Sequence, residues 1–139
     1  MLKLLIFKEF EVKETQNKSV TYSDYFRLMD MIKTDVGKEE VYPKRLHYLF
    51  LALTFSVKFA SNQIPENFVR MNSTVLITNS ELIKQRIRIV YPGEVKSNDD
   101  YSIYSLMGLV CLGHQEQDIV TYMDGEKVKQ LRIEKIISH

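Results

Sequence analysis

The second half of the chain contains the stretch Ser105-Leu106-Met107-Gly108-Leu109-Val110-Cys111-Leu112-Gly113. The pattern predicts a short buried helix, because Ser105 can cap its start and Gly113 can adopt the left-handed conformation that ends a helix. The buried face would consist of Leu106, Leu109, Val110 and Leu112. The segment Asp118-Ile119-Val120 follows, so a turn and a strand are expected next.

The segments on both sides of this helix alternate between apolar and polar residues with a period of two, which predicts strands. They cover residues 75–78, 86–91 and 131–136. The pair Asp124-Gly125 lies between the apolar runs 119–123 and 128–137 and is a strong hairpin signal. The second half is therefore predicted to be an antiparallel sheet with one short helix.

The first half has a helical period instead. Residues 22–33 predict a helix capped by Thr21 or Ser23, and Pro43 suits the first turn of a second helix that runs from Lys44 to about Ser61. Residues 1–20 form a lead-in with a weak strand signal at Leu4, Ile6, Phe10 and Val12. The polar stretch 61–67 contains Pro65 and predicts a boundary between a helical hairpin region, residues 1–63, and a second domain, residues 64–139. The expected fold class is α+β.

The second predicted helix is apolar on nearly every side. One stripe runs along residues 46–60, and Tyr48, Phe55 and Phe59 cover much of the remainder. Such a helix is buried within its own chain or pairs with another molecule. A homodimer through helix 46–60 is therefore one open interpretation.

Composition narrows the class of protein. The 139 residues carry a net charge of +1, which argues against a dedicated or sequence-specific nucleic-acid binder. The lone cysteine, Cys111, excludes an internal disulfide and fits a cytoplasmic setting. No apolar run approaches the ~20 residues that span a membrane.

Catalytic signals are weak throughout. His47, His114 and His139 lack ligand spacing, the glycines form no phosphate-binding loop, and Cys111 lies among apolar neighbours. We therefore predict no catalytic residue, no cofactor, no metal site and no enzymatic activity. The weak metal candidates are Asp35, Glu39 and Glu40, at the tip of the predicted hairpin. A solvated turn, with the acids near the start of the next helix, is the favoured interpretation of these residues.

Four short motifs then follow one another in a register typical of a known family. They are Pro65-Glu66-Asn67-Phe68-Val69, Met71-Asn72-Ser73-Thr74-Val75, Val90-Tyr91-Pro92 and Ser105-Leu106-Met107-Gly108, with Leu112-Gly113 and Asp118 after them. Residues 64–137 thus resemble the C-terminal domain of the transcription elongation factors GreA and GreB. They resemble still more the Rnk type, the so-called regulator of nucleoside diphosphate kinase.

The resemblance implies an FKBP-like domain, a curved antiparallel sheet around one short helix, used for docking rather than prolyl isomerisation. It implies binding to the rim of the RNA polymerase secondary channel, on the largest subunit. The implied contact loop is 99–107, with Asp99, Asp100, Tyr101, Ser102, Tyr104, Ser105, Leu106 and Met107 as partner-binding residues. Leu106 replaces the usual proline, and Tyr104 stands where Gre factors often carry an acid.

The length of the hairpin decides which activity the resemblance implies. Gre factors insert a long coiled coil into the channel, and acids at its tip assist transcript cleavage. Here the predicted helices would span only ~18 Å and ~27 Å. We expect a transcription regulator that occupies the channel entrance without stimulating cleavage. A cleavage factor that uses Asp35, Glu39 and Glu40, or a homodimeric interaction module, are the alternatives.

Overall fold

A computed structural model describes residues 3–6, 11–14 and 18–139. Three helices lie among nine strands in the described part of the chain. The helices are α1 (Tyr22–Asp35), α2 (Pro43–Thr54) and α3 (Leu106–Cys111). The strands are β1 (Lys3–Ile6), β2 (Glu11–Glu14), β3 (Ser19–Thr21), β4 (Val57–Phe59), β5 (Thr74–Asn79), β6 (Lys84–Val90), β7 (Asp100–Ser102), β8 (Ile119–Asp124) and β9 (Lys127–Ser138).

Seven strands form one sheet in the order β1-β2-β8-β9-β5-β6-β7. Its neighbours are antiparallel except β6 and β7, which run parallel. The α+β class and the sheet with one short helix are confirmed. The turn at Asp124-Gly125 is also confirmed, because Asp124 pairs with Lys127 and Gly125 has a φ of +65°. Strand β7 and its parallel pairing were not predicted.

The first helix begins as predicted and ends two residues later. The Thr21 hydroxyl oxygen accepts a hydrogen bond from the Asp24 backbone N–H, so Thr21 is the cap. The weak strand signals at Leu4, Ile6 and Val12 correspond to β1 and β2. Phe10 lies outside the described residues.

The second helix is shorter than predicted: it ends at Thr54, not near Ser61. The chain turns because the Ser56 hydroxyl donates to the Leu53 carbonyl oxygen at 2.7 Å. Residues 57–59 then pair in parallel with β3, starting with a 2.8 Å bond from the Val57 N–H to the Lys18 carbonyl. Val57 is β-branched, and β-branched side chains fit a strand better than a helix. The predicted stripe beyond Thr54 therefore belongs to β4 and its flanks.

One continuous hydrophobic core joins the helices to the sheet. On α2, Leu46, Tyr48, Leu49 and Leu53 are all buried in it. Burial within the chain thus explains most of the apolar character of this helix. Phe50 and Phe55 remain 40% and 53% exposed. Among the described residues, no helix combines the length and the apolarity that a membrane span requires.

Candidate partner-binding site

The loop 99–107 is held in shape by the residues that start α3. Ser105 is the helix cap: its Oγ accepts the Gly108 N–H at 3.1 Å, and its hydroxyl donates to the Ser102 carbonyl at 2.6 Å. Ile103, between them, is fully buried. Gly108 lies so close to the loop that a Cβ at this position would clash with the Ser102 carbonyl and approach the Ile103 Cα to 2.9 Å. The predicted cap is confirmed, and Gly113 has the left-handed φ of +81° expected at the end of the helix.

The beginning of the loop is organised by Asp100. Its carboxylate accepts the backbone N–H groups of Lys96 and Ser97 and pairs with the Arg88 guanidinium at 3.1 Å. The Lys96 N–H in particular holds the pKa of Asp100 below its usual range. Asp99, directly before it, is exposed. Asp100 thus shapes the loop, and Asp99 presents its charge to solvent.

The middle of the loop is attached to neighbouring elements. The Tyr101 hydroxyl accepts a hydrogen bond from Gln85 Nε2 at 2.6 Å. The backbone N–H of Tyr104 donates to the Ser102 Oγ, and the Tyr104 carbonyl accepts a long bond, 3.3 Å, from Arg45 Nη1 on α2. Leu106 and Met107 are partly buried against the core.

The structure brings the loop and the hairpin tip together at Tyr104 and Asp35. The Tyr104 hydroxyl donates to Asp35 Oδ2 at 2.6 Å, and Lys38 Nζ donates to Oδ1 at 2.9 Å. Both oxygens of the Asp35 carboxylate are therefore engaged within the chain. Glu39 and Glu40 lie nearby on the exposed turn. The described residues contain no group of three His, Cys, Asp or Glu side chains arranged to hold a metal ion.

The contribution of the Tyr104–Asp35 hydrogen bond to stability depends on pH. The hydrogen bond from the Tyr104 hydroxyl lowers the pKa of Asp35 most, and the bond from Lys38 lowers it further. The stabilisation is therefore complete above the pKa of the unfolded chain, about 3.9, and is lost as the pH falls through the lower pKa of the folded chain. We expect Tyr104→Phe to cost about 1–2 kcal/mol in urea unfolding at neutral pH. The difference from wild type should shrink below about pH 4; an unchanged difference at acid pH would contradict this role of Asp35.

A second set of contacts joins α1 to two of the sequence motifs. The Asp24 carboxylate accepts the Met71 N–H at 3.1 Å and the Tyr91 hydroxyl at 3.3 Å. One turn further on, the Arg27 guanidinium lies 3.5 Å from the centre of the Tyr91 ring and bonds to Glu94 at 2.8 Å. A cleft of about 550 Å³ lies between the hairpin and the sheet beside these residues. Sequence reasoning missed Asp24 and Arg27, because a polar residue in the first turns of a helix is ordinarily exposed.

Asp24 acts as an acceptor in a partly desolvated position. Burial raises its pKa despite the lowering effect of the Met71 N–H. We expect Asp24→Ala to cost about 2 kcal/mol, because a backbone N–H and a hydroxyl lose their acceptor. Asp24→Asn keeps one carbonyl oxygen and avoids the buried charge, so its cost should stay below about 1 kcal/mol. Equal losses of stability for Asp24→Ala and Asp24→Asn in thermal unfolding would refute the role of Asp24 as a hydrogen-bond acceptor.

Cys111, His114 and His139 also make contacts within the folded chain. Burial raises the pKa of the Cys111 thiol to about 12, which leaves it protonated and unreactive. His114 Nδ1 lies 3.1 Å from Asp118 Oδ2, and His139 Nδ1 lies 2.8 Å from the Ser73 Oγ. Each of these side chains is thus engaged in packing or hydrogen bonding within the chain.

The fold has solved counterparts. The prokaryotic transcription elongation factor GreA/GreB from Nitrosomonas europaea superposes with a TM-score of 0.69 at 22% identity, over 88% of this chain and 98% of the other. The transcription factor Gfh1 and the Thermus aquaticus Gfh1 match with TM-scores of 0.44 each, at 15% and 19% identity, over 90% and 88% of this chain and 100% and 99% of theirs. No protein-family model matches the chain. No curated protein matches it either.

The superposition extends over most of this chain and nearly the whole of the other. The GreA/GreB resemblance of residues 64–137 is thus confirmed as a likeness of fold, whereas the narrower likeness to the Rnk type stays a prediction. The chain has the fold of a GreA/GreB-type transcription elongation factor.

Proposed function

We propose that this chain binds RNA polymerase at the rim of the secondary channel, on the largest subunit, and regulates transcription from there. The loop 99–107 would make the contact. The observation that carries the proposal is the bond from Tyr104 to Asp35, which ties this loop to the hairpin. A loop already held in one conformation loses less entropy on binding a partner. The GreA/GreB fold supports the choice of partner.

The exposed parts of the loop have the chemistry of an interface. Tyr104, Leu106 and Met107 are partly exposed, and Asp99 at the start of the loop is exposed. Tyrosine and methionine are enriched at the centre of protein interfaces, and charges suit their rim. In this proposal Asp100, Tyr101, Ser102 and Ser105 contribute mainly by holding the shape of the loop. Residues 64–139 would be the docking domain, and residues 1–63 would supply the hairpin.

We further propose that the chain does not stimulate transcript cleavage and is not itself an enzyme. Helix α1 has 14 residues, so it spans about 21 Å. The tip residue Asp35 contacts the docking loop through Tyr104, so the tip lies against the body of the protein. These features favour a regulator that occupies the channel entrance, and a polymerase partner would place it in the cytoplasm.

Two measurements with purified components test this function. The chain should co-elute with core RNA polymerase at micromolar concentration; separate elution would contradict polymerase binding. Added to backtracked elongation complexes, it should release no short 3′ RNA fragments. Release of such fragments, and its loss in Asp35→Asn, would establish the cleavage alternative instead.

A homodimer is the second candidate, and a specific surface favours it. Beside the exposed Phe50, a groove of about 720 Å³ runs between α1 and α2. Its lining includes Ile32, Val36 and Val41. Light scattering would show a dimer that becomes monomeric in Phe50→Ser if this surface pairs two copies. A monomer at every concentration would dismiss the dimer.

A further inference from the structure

We propose that the outer face of strands β6, β5 and β9 binds the phosphate backbone of a single-stranded nucleic acid without reading its sequence. The inference rests on the proposed function, since a transcribing polymerase supplies single-stranded RNA. It is carried by five cations that the strand register places on one face of the sheet. The nine residues of the three rows that contain these cations are named the basic strip.

The basic strip consists of three rows that cross the three strands. Each row has one residue from β6, one from β5 and one from β9. The rows are Lys84–Thr78–Arg132, Arg86–Leu76–Lys135 and Arg88–Thr74–Ser138. Five of the nine side chains are therefore cations, three are hydroxyls, and one is apolar.

Strand alternation puts these side chains on the outer face. On β6, Ile87 and Ile89 are fully buried, so the residues between them and beside them point away from the core. Lys84 and Arg86 are accordingly exposed, and Arg88 is partly exposed. Consecutive cations along β6 are about 6.8 Å apart, and adjacent strands about 4.8 Å. The cations thus lie in two lines, one on β6 and one on β9, which are about 9.6 Å apart across β5.

Three acids, Glu134, Asp99 and Asp100, lie in or beside the strip and oppose its positive charge. Glu134 accepts a 2.8 Å hydrogen bond from the Thr78 hydroxyl. Asp100 is held by backbone N–H groups and pairs with Arg88. Asp99 lies at the edge, where Lys96 adds a further cation to a shallow cavity of about 320 Å³ beside Arg86 and Arg88. The cations therefore outnumber the acids that face them.

The residue types favour phosphate over a protein partner. Protein interfaces concentrate aromatic side chains at their centre and exclude charge there, but the strip has no aromatic residue in its three rows. Lysine, arginine, serine and threonine are the side chains that bind phosphate oxygens. Without aromatic residues to stack on bases, binding would be electrostatic and independent of sequence.

A single strand suits this face better than a duplex. The strip lies on the inner strands of a seven-stranded sheet, whereas the major groove of a duplex admits a helix or a two-stranded ribbon. A flexible single strand can follow the face without entering a groove. The chain-wide net charge of +1 agrees with a local strip rather than a strongly basic protein.

Fluorescence anisotropy with a labelled single-stranded RNA of about 12 nucleotides tests the proposal. Because Arg88 pairs with Asp100, four cations are counted; with each contributing about 0.7 to the slope, the affinity should fall about 50-fold between about 50 mM and 200 mM salt. The variant Arg86→Gln/Lys135→Gln should bind at least about tenfold more weakly and lower the slope by about 1.4. The matched control Lys33→Gln/Lys127→Gln removes two exposed lysines outside the strip and should behave like wild type.

Equal weakening by both double variants, or tighter binding to a duplex of the same length, would overturn the proposal. Absence of RNA binding at low salt would overturn it as well. Co-elution with polymerase separates this inference from the proposed function. Arg86→Gln/Lys135→Gln should still co-elute, so a wild-type chain that fails with RNA but binds polymerase refutes the inference alone.

Discussion

Gly108→Ala is expected to destabilise the folded chain by about 3 kcal/mol, at the upper end of the range for overpacked interiors. In an ordinary helix this change would be favourable by about 1 kcal/mol, because alanine has the higher helix propensity. Here the added Cβ would collide with the backbone carbonyl of Ser102 and the Ile103 Cα. Backbone cannot swing aside as the end of a long side chain can. The midpoint of urea unfolding should fall accordingly.

Gly93→Ala provides a matched control for this prediction. Gly93 has a φ of +85°, but no atom lies within 4 Å of the Cβ position. The variant should therefore lose only the cost of a left-handed alanine, about 1 kcal/mol. If Gly108→Ala proved neutral or stabilising, or no worse than Gly93→Ala, the close contact between α3 and the loop would be refuted.

Lys18→Ala should have the second largest effect, also about 3 kcal/mol. Lys18 is 5% exposed, and its Nζ donates to the Leu109 carbonyl oxygen at 2.6 Å. The same ammonium lies 5.4 Å from the centre of the Tyr48 ring, and the stem packs against Gly113. One side chain thus joins β3, α2 and α3. Truncation leaves a cavity among these elements and removes a donor from the end of α3.

Lys18→Met separates the stem from the charge. Methionine fills most of the same space, and the loss of a hydrogen bond is offset by removal of a buried cation. We therefore expect a loss of about 1 kcal/mol or less in the free energy of unfolding. A loss as large as that of Lys18→Ala would mean that the ammonium, and not the packing of the stem, holds the three elements together.

Much of the sheet could be predicted because its signals are local. The alternation along β5, β6 and β9 and the Asp124-Gly125 turn depend on neighbours in sequence, and so do the caps Thr21 and Ser105. Each of these predictions is confirmed in the structure. Local hydrogen bonds, and the alternation of a strand between core and solvent, each produce a recognisable pattern of residues in the sequence.

The end of α2 could not be predicted, since a long-range pairing decides it. The segment after Thr54 is apolar enough to continue the helix, but its backbone pairs with β3, more than thirty residues earlier. Strand β7 was missed for a related reason. Only three residues pair with β6, and turn-forming residues dominate the surrounding sequence. In both places tertiary pairing overrides the local preference.

The candidate site was predicted as two unrelated segments. The loop 99–107 came from a family resemblance, and Asp35 from an acidic turn. The hydrogen bond from Tyr104 to Asp35 joins residues 69 positions apart, so no local sequence pattern predicts it. Lys18 was missed altogether, because a lysine is ordinarily expected on the surface. The contacts that polar residues make in the interior of this molecule cannot be recognised from the periodicity or spacing of residues in the sequence.

In the proposed function, loop 99–107 docks the chain on RNA polymerase. A titration of labelled protein with core polymerase should compare wild type with Asp99→Arg and with Glu126→Arg, a matched charge reversal at the exposed β8–β9 turn. We predict micromolar or tighter binding for wild type and Glu126→Arg, and at least about tenfold weaker binding for Asp99→Arg, a loss of about 1.4 kcal/mol. Equal affinities for the two variants, or no binding by wild type, would contradict docking through this loop.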